Sequence, residues 1–398
     1  MSPAISRRSV LAAGLGLPMA ALAGCTGSSL GSSSSTKQSL TIGFLTAKTG
    51  VYKVVGDDLT KGFLLYVKRN GNKLGGHPVN VVVVDHSDKT STARTAAKKL
   101  IQQNNVVAAA GVVDSNTMSA VQGLFTSAHI PLIGCNAASG DTSQNYLWRS
   151  SYYNTDPAEA IGAYVAKNAG GPVYILVPDY AAGRDVDSGF RKSFQAAGGK
   201  IANPDGKTTY TPFPDTTDFT TYIQDIMNSG AKAVWTFYAG AEAVSFVKQA
   251  DQLGLTGQMK IYAPGWMTDG SVLTSQGSAA QGIYTVDNYA ADLDNAANRT
   301  FVSAYREAYK QVPSPYAMQA WDGAMVLDLA LARISGTVTG EEIDNKIQQL
   351  GQIDSPRGTW SFTDFHTPGQ KWYLRRVEKD GRALDNVTIQ TLGYLAKA

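Results

Sequence analysis

The sequence predicts an α/β protein of two lobes, each built on a parallel sheet, with several chain crossings that form a hinge. Short apolar or β-branched runs, typical of buried parallel strands, alternate with segments of helical periodicity. The alternation stops at Tyr146–Asn154, which is aromatic and polar without a helical period, and begins again at Pro172. Long helices then follow Gly282–Tyr289, a strand that returns the chain to the first lobe. Strands alternating with helices favour parallel sheets with right-handed crossovers.

The elements of the first lobe come from this alternation. Its predicted strands are Leu40–Leu45, Val79–Asp85, Val106–Val113 and Pro131–Gly134. Its predicted helices are Asp58–Asn70, Thr90–Gln103 and Met118–Ala128, each with apolar residues at helical spacing.

The second series repeats the pattern. Its predicted strands are Pro172–Asp179, Ala231–Phe237 and Met259–Ala263, and its helices are Ala158–Asn168, Asp185–Ala197, Phe219–Ser229 and Ala241–Leu253. The remaining predicted elements are helices Asn298–Gln311, Tyr316–Ile334 and Glu341–Leu350 and strands Gly358–Phe362 and Trp372–Val377. We therefore assign residues 40–150 and 288–360 to lobe 1 and residues 151–287 and 361–398 to lobe 2.

The N-terminus reads as an export signal. A twin-arginine start, Ser6–Leu11, precedes an apolar run at Val10–Ala23 that is shorter than the roughly 20 residues of a membrane span. The ending Leu-Ala-Gly-Cys resembles the bacterial lipobox, in which the cysteine, here Cys25, is acylated. We therefore expect a signal peptide at residues 1–24, a Ser/Gly-rich tether at 25–39, and a folded part held by lipid at the outer face of the cytoplasmic membrane.

Composition and scattered reactive residues argue against other classes. At 398 residues, with 43% hydrophobic and 17% charged, the chain has room for two globular domains. The net charge of +3 falls to about +1 when Arg7 and Arg8 are removed, so no nucleic-acid partner is expected. The four histidines and Cys135 show no metal or triad spacing, and G-x-S-x-G is absent from the sequence. We expect no metal, no cofactor and no enzymatic activity, with an enzyme as the rival class.

Two successive strand ends predict a binding site within Val106–Ser139. Asp114–Thr117 follows one strand and can begin a helix, and Ala137, Ala138 and Ser139 follow the next strand. Ligands of open α/β sheets bind at the carboxyl ends of strands. A helix N-terminus carries unpaired N–H groups and partial positive charge, which suit a carboxylate. The plainer alternative is that Asp114–Thr117 only caps the helix.

Five pieces carry a family resemblance: IGFLTAKTGVYKVVGDDLTKGFLLYV, NKLGGHPVNVVVVDHSDKTSTARTAAKKLI, VAAAGVVDSNTMSAVQGLFTSAHIPLIG, PDYAAGRDVDSGFRKSFQAAGGKI and PYAMQAWDGAMVLDLALARISG. Together they make the chain similar to the leucine/isoleucine/valine-binding solute receptors of ABC transporters. The resemblance implies two Rossmann-like lobes of the type I periplasmic binding protein fold. It also implies a monomer that captures an amino acid or similar small polar molecule and delivers it to a membrane permease.

The resemblance also assigns site residues. It implies that Ser115 or Asn116 binds the ligand carboxylate, with backbone contacts from Ala137, Ala138 and Ser139. Tyr180 and Tyr238 come from lobe 2, and Tyr52 and Thr49 are side-wall candidates. The family's acid for the ligand ammonium is displaced to Asp269 or replaced by Trp266, which departs from the pattern for a plain aliphatic amino acid.

The ligand prediction keeps two alternatives. An α-amino acid, branched-chain or other, or a related small carboxylate comes first. An aromatic acid or amide comes second, because Tyr52, Tyr180, Tyr238 and Trp266 can face the cleft. The tyrosines and Trp266 can equally be packed in a core, and Asp269 can be a solvated loop acid. A ligand-sensing ectodomain partner is the alternative to a transport receptor.

Overall fold

The chain is organised around two β-sheets in the computed structural model, which describes residues 37–137, 144–381 and 383–396. The export segment with Cys25, and Ala138 and Ser139 of the predicted site, lie outside the described residues. No helix within the described ranges has the length and apolar character needed to cross a membrane.

The first sheet has six strands. They are β1 Leu40–Thr46, β2 Lys73–Leu74, β3 His77–Asp85, β4 Ala108–Gly111, β5 Leu132–Gly134 and β6 Leu147–Arg149. Their order is β2-β3-β1-β4-β5-β6, and every pair except β2–β3 is parallel. The central strand β1 is flanked by β3 and β4, so its carboxyl end and that of β4 open at one edge, as the sequence predicts.

The second sheet is mixed rather than parallel. Its strands are β7 Val173–Pro178, β8 Thr209–Thr211, β9 Ala233–Thr236, β10 Lys260–Pro264, β11 Tyr284–Asp287, β12 Ile353–Ser355, β13 Gly358–Phe362, β14 Pro368–Asp380 and β15 Ala383–Leu395. Strands β7 to β11 pair in parallel in the order β11-β10-β9-β7-β8, and β14 joins β11 antiparallel. Strands β7 to β11 agree with the predicted parallel sheet, and β12 to β15 extend it with antiparallel pairs. Strand β14 is longer than predicted, and β15, which pairs along it, was not among the predicted strands.

Twelve helices are found in the described ranges. They are α1 Lys53–Arg69, α2 Thr90–Gln102, α3 Ser115–Ser127, α4 Thr155–Asn168, α5 Ala181–Ala196, α6 Thr220–Asn228, α7 Gly240–Gln252, α8 Leu255–Gln258, α9 Ser271–Gln276, α10 Ala296–Tyr309, α11 Pro315–Leu331 and α12 Gly340–Gln348. We call the first sheet with its covering helices lobe 1 and the second sheet with its helices lobe 2.

Helix α11 returns the chain to lobe 1 after strands β7 to β11 of lobe 2. It packs against α1, where Tyr66 and Trp321 meet edge to face with ring centroids 4.9 Å apart. The two helices come very close, because a Cβ on Gly62 would lie 2.0 Å from the carbonyl oxygen of Ala317. Helix α12 adds a bond from the Trp148 indole to Asp344 at 2.7 Å. The exact lobe boundaries given above remain predictions.

One buried arginine, Arg357, joins three segments that are distant from one another in the sequence. Arg357 donates to Asp322 of α11 at 2.8 Å, to Gln370 of β14 at 2.6 Å, and to the carbonyl of Ser150, just after β6. Arg357 is 4% exposed and Asp322 is fully buried. We call these four residues the crossing cluster. A buried pair of this kind is costly to break from one side, by about 3–5 kcal/mol, because the remaining charge has no partner.

Candidate functional site

A small cavity lies between the facing edges of the two sheets. Its walls are Tyr52, Val55, Val113, Asp114, Ser115, Asn136, Ala137, Asn154, Tyr180, Ala182, Phe237, Ala239 and Trp266. Residues after β4 and β5 form one wall, and residues after β7, β9 and β10 form the other. The enclosed volume is about 20 Å³, enough for about one water molecule. An organic ligand therefore needs the walls to move apart before it can enter.

The start of α3 forms the polar floor of this cavity. Asp114 caps the helix, because its Oδ1 accepts the Thr117 N–H at 2.8 Å and its Oδ2 accepts the Thr117 hydroxyl at 2.6 Å. Ser115 is the first residue of the helix, and its Oγ accepts from Asn154 at 3.2 Å. The Ser115 hydroxyl is thus still able to donate. A 13-residue helix presents partial positive charge at this end. The floor can therefore hold a carboxylate.

A neutral histidine supports the floor from behind. Nε2 of His86 accepts the N–H of Val113 at 3.2 Å, which requires an unprotonated nitrogen. Burial lowers the pKa of His86, although Asp114, 3.9 Å away, opposes this effect. The ring is fully buried, so it positions the strand end without reaching the cavity. His86 was not predicted as a supporting residue, because a single histidine after a strand carries no motif.

Aromatic rings form the opposite wall. Tyr52 donates its hydroxyl to that of Tyr180 at 3.0 Å, joining lobe 1 to lobe 2. Tyr180 stacks on Phe213, with centroids 4.1 Å apart, and Phe237 packs on Trp266 at 5.0 Å. Four of these rings line the cavity, and Phe213 supports them from the next layer.

Two further bonds close the cleft. The Trp266 indole donates to the side-chain oxygen of Asn136 at 3.2 Å, and Ala241 donates its N–H to the carbonyl of Val51 at 3.0 Å. Gly240 permits the second contact, because its φ is 57° and a Cβ there would lie 2.2 Å from the Val51 oxygen. The two lobes are therefore in direct contact across the site.

A buried acid lies close behind the lobe 2 wall. Glu242, in the first turn of α7, is 4% exposed, and its Oε1 has no hydrogen-bond partner among the described residues. Burial raises its pKa to about 8, with a smaller contribution from Asp215. When ionised, Glu242 would raise the pKa values of Tyr52 and Tyr180, although burial is the main cause of their increase. The raised pKa favours the uncharged form of Glu242 at neutral pH. Its place three residues into a helix gave no sign of burial in the sequence.

Of the nine predicted site residues within the described ranges, five line the cavity and four do not. Those in the cavity wall are Ser115, Ala137, Tyr52, Tyr180 and Trp266. Asn116, Thr49, Tyr238 and Asp269 do not line it. Wall residues that the sequence analysis did not select include Asn136, Asn154 and Phe237, the last adjacent to the predicted Tyr238.

Three of the four predicted residues that do not line the cavity have other partners. Thr49 donates to Asp85 at 2.6 Å at the surface. Tyr238 is fully buried, and its hydroxyl lies 3.1 Å from that of Thr211. Asp269 is 1% exposed and accepts from Arg375 at 2.9 Å, so the alternative of a solvated loop acid was wrong.

Metal ligation is not supported by the arrangement of side chains. Across the described ranges, no group of three or more His, Cys, Asp or Glu residues is placed to hold a metal ion. Cys135 is a buried free thiol whose pKa burial raises to about 11.

Comparison with known proteins gives a consistent group of relatives. A family model described as periplasmic binding protein matches residues 39–382. A curated relative, the Leu/Ile/Val-binding protein homolog 6 of Brucella melitensis, is 27% identical over 375 residues, covering 91% of this chain and 94% of that protein.

Solved structures extend the comparison. A solute-binding protein of an ABC transporter from R. palustris, in complex with benzoate, is 30% identical with a TM-score of 0.83, covering 90% of this chain and 98% of that one. Another from Rhodopseudomonas palustris, with 3,4-dihydroxy benzoic acid, is 27% identical with a TM-score of 0.83 and the same coverage, 90% and 98%. A branched-chain amino acid binding protein from Streptococcus pneumoniae, with isoleucine, shares the fold at 22% identity, with a TM-score of 0.77, covering 88% and 100%.

Proposed function

Since the chain belongs to the periplasmic binding protein family, we propose that it is an extracytoplasmic receptor that captures a small aromatic carboxylate and delivers it to an ABC permease. The ligand carboxylate lies at the start of α3, where the Ser115 hydroxyl and the first N–H groups of the helix can donate to it. The ring lies between Phe237 and Trp266 on one side and Tyr180 on the other.

The state of the nearby acids is the observation that carries this choice. An α-amino acid brings an ammonium group, which needs a carboxylate partner when it is buried. Asp114 is the single carboxylate among the described wall residues, and it caps α3 through Thr117, where the partial positive charge of the helix N-terminus already balances part of its own charge. Glu242, behind the wall, is mostly protonated at neutral pH. Asp269 already pairs with Arg375. An aromatic acid has no ammonium group to satisfy.

The relatives support the same choice. Two solved relatives that are 27% or more identical are complexes with benzoate or a dihydroxybenzoic acid. An α-amino acid remains the second candidate, and the name of the curated relative from Brucella melitensis supports it.

A thermal-shift screen tests the ligand class. The full chain is heated with benzoate, 4-hydroxybenzoate, leucine, valine or phenylalanine at pH 7. A ligand present at a hundred times its Kd stabilises the native state by about 2.7 kcal/mol, which gives a measurable rise in Tm. We expect benzoates to raise Tm and leucine and valine to leave it unchanged. A rise with leucine but not with benzoate would reverse the assignment, and no rise with any of them would reject both ligand classes.

The lipid anchor at Cys25 is a separate proposal, supported by the Leu-Ala-Gly-Cys ending. Metabolic labelling of cells with a palmitate analogue should label the wild-type chain and leave Cys25→Ala unlabelled. Cys135→Ala is the matched control, because that thiol is buried in the folded protein and should not affect labelling.

A further inference from the structure

A second set of contacts joins the lobes away from the ligand cavity. Asp58 of α1 accepts the Ser271 hydroxyl at 2.8 Å through Oδ1 and the Ser271 N–H at 3.1 Å through Oδ2. Ser271 begins α9, which belongs to lobe 2, where Gln276 donates to the carbonyl of Ala243 in α7. Asp58 is 3% exposed, and it also accepts from the Ser314 hydroxyl at 3.4 Å and from Lys61, 3.3 Å away in the same helix.

The neighbouring glycine makes this approach possible. Gly270 has a φ of 58°, and a Cβ there would lie 2.2 Å from Oδ2 of Asp58 and 2.7 Å from the Cβ of Ser314. Any larger residue would push the α9 segment away from lobe 1. The contact between Asp58 and Ser271 therefore depends on the Asp58 carboxylate and on the absence of a side chain at Gly270.

These residues cannot touch a solute in the ligand cavity. Asp58, Gly270, Ser271 and Ser314 line a different cavity of about 310 Å³, and none of the described residues lines both cavities. The remaining walls of the larger cavity include Arg375 and Asp269, which are already paired with each other. The bonds of Asp58 thus join the two lobes at the wall of this larger cavity, away from the ligand cavity.

We propose that Asp58, Gly270 and Ser271 form a latch that sets the free energy of lobe closure, and through it the affinity for every solute. If the solute binds the closed form, its apparent Kd is the intrinsic Kd divided by the closed fraction. The latch favours closure but makes no contact with the solute. It therefore changes all affinities by one factor and leaves their ratio unchanged. This inference rests on the proposed function only in requiring that the lobes close on a solute.

The test compares Ser271→Ala with Ser275→Ala, an exposed serine one turn further along α9 that bonds only to its own helix in the structure. Calorimetry with benzoate and 4-hydroxybenzoate, or with whichever probes raise Tm, gives the affinities. We expect Ser271→Ala to weaken both ligands by the same factor, up to about tenfold, because one lost hydrogen bond to a charged group changes the closure equilibrium by about that much. Ser275→Ala should match the wild type.

Small-angle scattering supplies a readout that needs no ligand. Ser271→Ala and Gly270→Ala should each have a larger radius of gyration than Ser275→Ala. A change in the ratio of the two affinities would overturn the latch, because it would mean contact with the solute. An unchanged radius together with unchanged affinities would also overturn it. If no probe binds, the proposed ligand fails while the scattering comparison still decides for or against the latch.

Discussion

Replacing Glu242 by glutamine should remove a large part of the pH dependence of the free energy of unfolding. Burial raises the pKa of this carboxyl from its ordinary 4.5 to about 8, so the folded protein holds the proton more tightly than the unfolded chain does. A raised pKa contributes stability that is complete below about pH 4.5 and is lost as pH rises through about 8. Between these values the slope is about 1.4 kcal/mol for each pH unit, or about 4–5 kcal/mol in total.

Urea unfolding from pH 5 to pH 9 measures this effect. The wild type should lose stability relative to Glu242→Gln by about 2–3 kcal/mol between pH 5 and pH 7, and by about 1 kcal/mol more by pH 9. Glu342→Gln is the matched control, because Glu342 occupies the same third position of α12 but is exposed. A stability difference between wild type and Glu242→Gln that stays constant over this range would show that Glu242 is ionised in the folded protein, and would refute the reasoning.

Three further substitutions test the site and its supports. Ser115→Ala should weaken carboxylate binding by about 1–3 kcal/mol in calorimetry. Ser119 is exposed one turn later in α3, so Ser119→Ala should leave binding unchanged. Equal Kd values for Ser115→Ala and the wild type would remove Ser115 from the site. Gly240→Ala should hold the lobes apart, because the φ of Gly240 is 57° and the new Cβ would lie 2.2 Å from the carbonyl oxygen of Val51 in lobe 1. A decrease in the radius of gyration of this variant when ligand is added would contradict the expectation. Arg375→Met should lower the free energy of unfolding by about 3–5 kcal/mol, because the buried acids Asp269 and Asp287 would both lose their cation. A loss below about 1 kcal/mol at pH 7 would mean that Asp269 carries no charge in the folded protein.

The sequence predicted the parts of the fold whose signals are local. The β-branched run at Val79–Asp85 became β3, and the capping residues before α3 placed Ser115 at the cavity. Strand β15 was missed because Ala383–Leu395 mixes polar and apolar residues on a largely exposed strand and has no buried run. Its pairing depends on β14, not on its own pattern.

Long-range pairing explains the misses at the site. Asp269 and Arg375 are 106 residues apart, so nothing near Asp269 in the sequence reveals that its charge is already neutralised. Glu242 has the sequence context of an ordinary helix-start acid, and only the fold buries it. The aromatic wall was partly predicted, but Tyr238 was chosen where its neighbour Phe237 lines the cavity. Side chains after a strand alternate in direction, so an error of one residue changes which side chain reaches the site.

The crossing cluster restricts how the molecule can move. One guanidinium bonds α11, β14 and the segment just after β6, so these three parts cannot move apart without breaking a buried ion pair or a buried hydrogen bond. If the cluster stays intact while the lobes open, we expect them to rotate about one common axis. Two fluorophore pairs placed at different points across the cleft should then change their energy-transfer efficiency at the same time in single-molecule traces, because both follow the same opening motion.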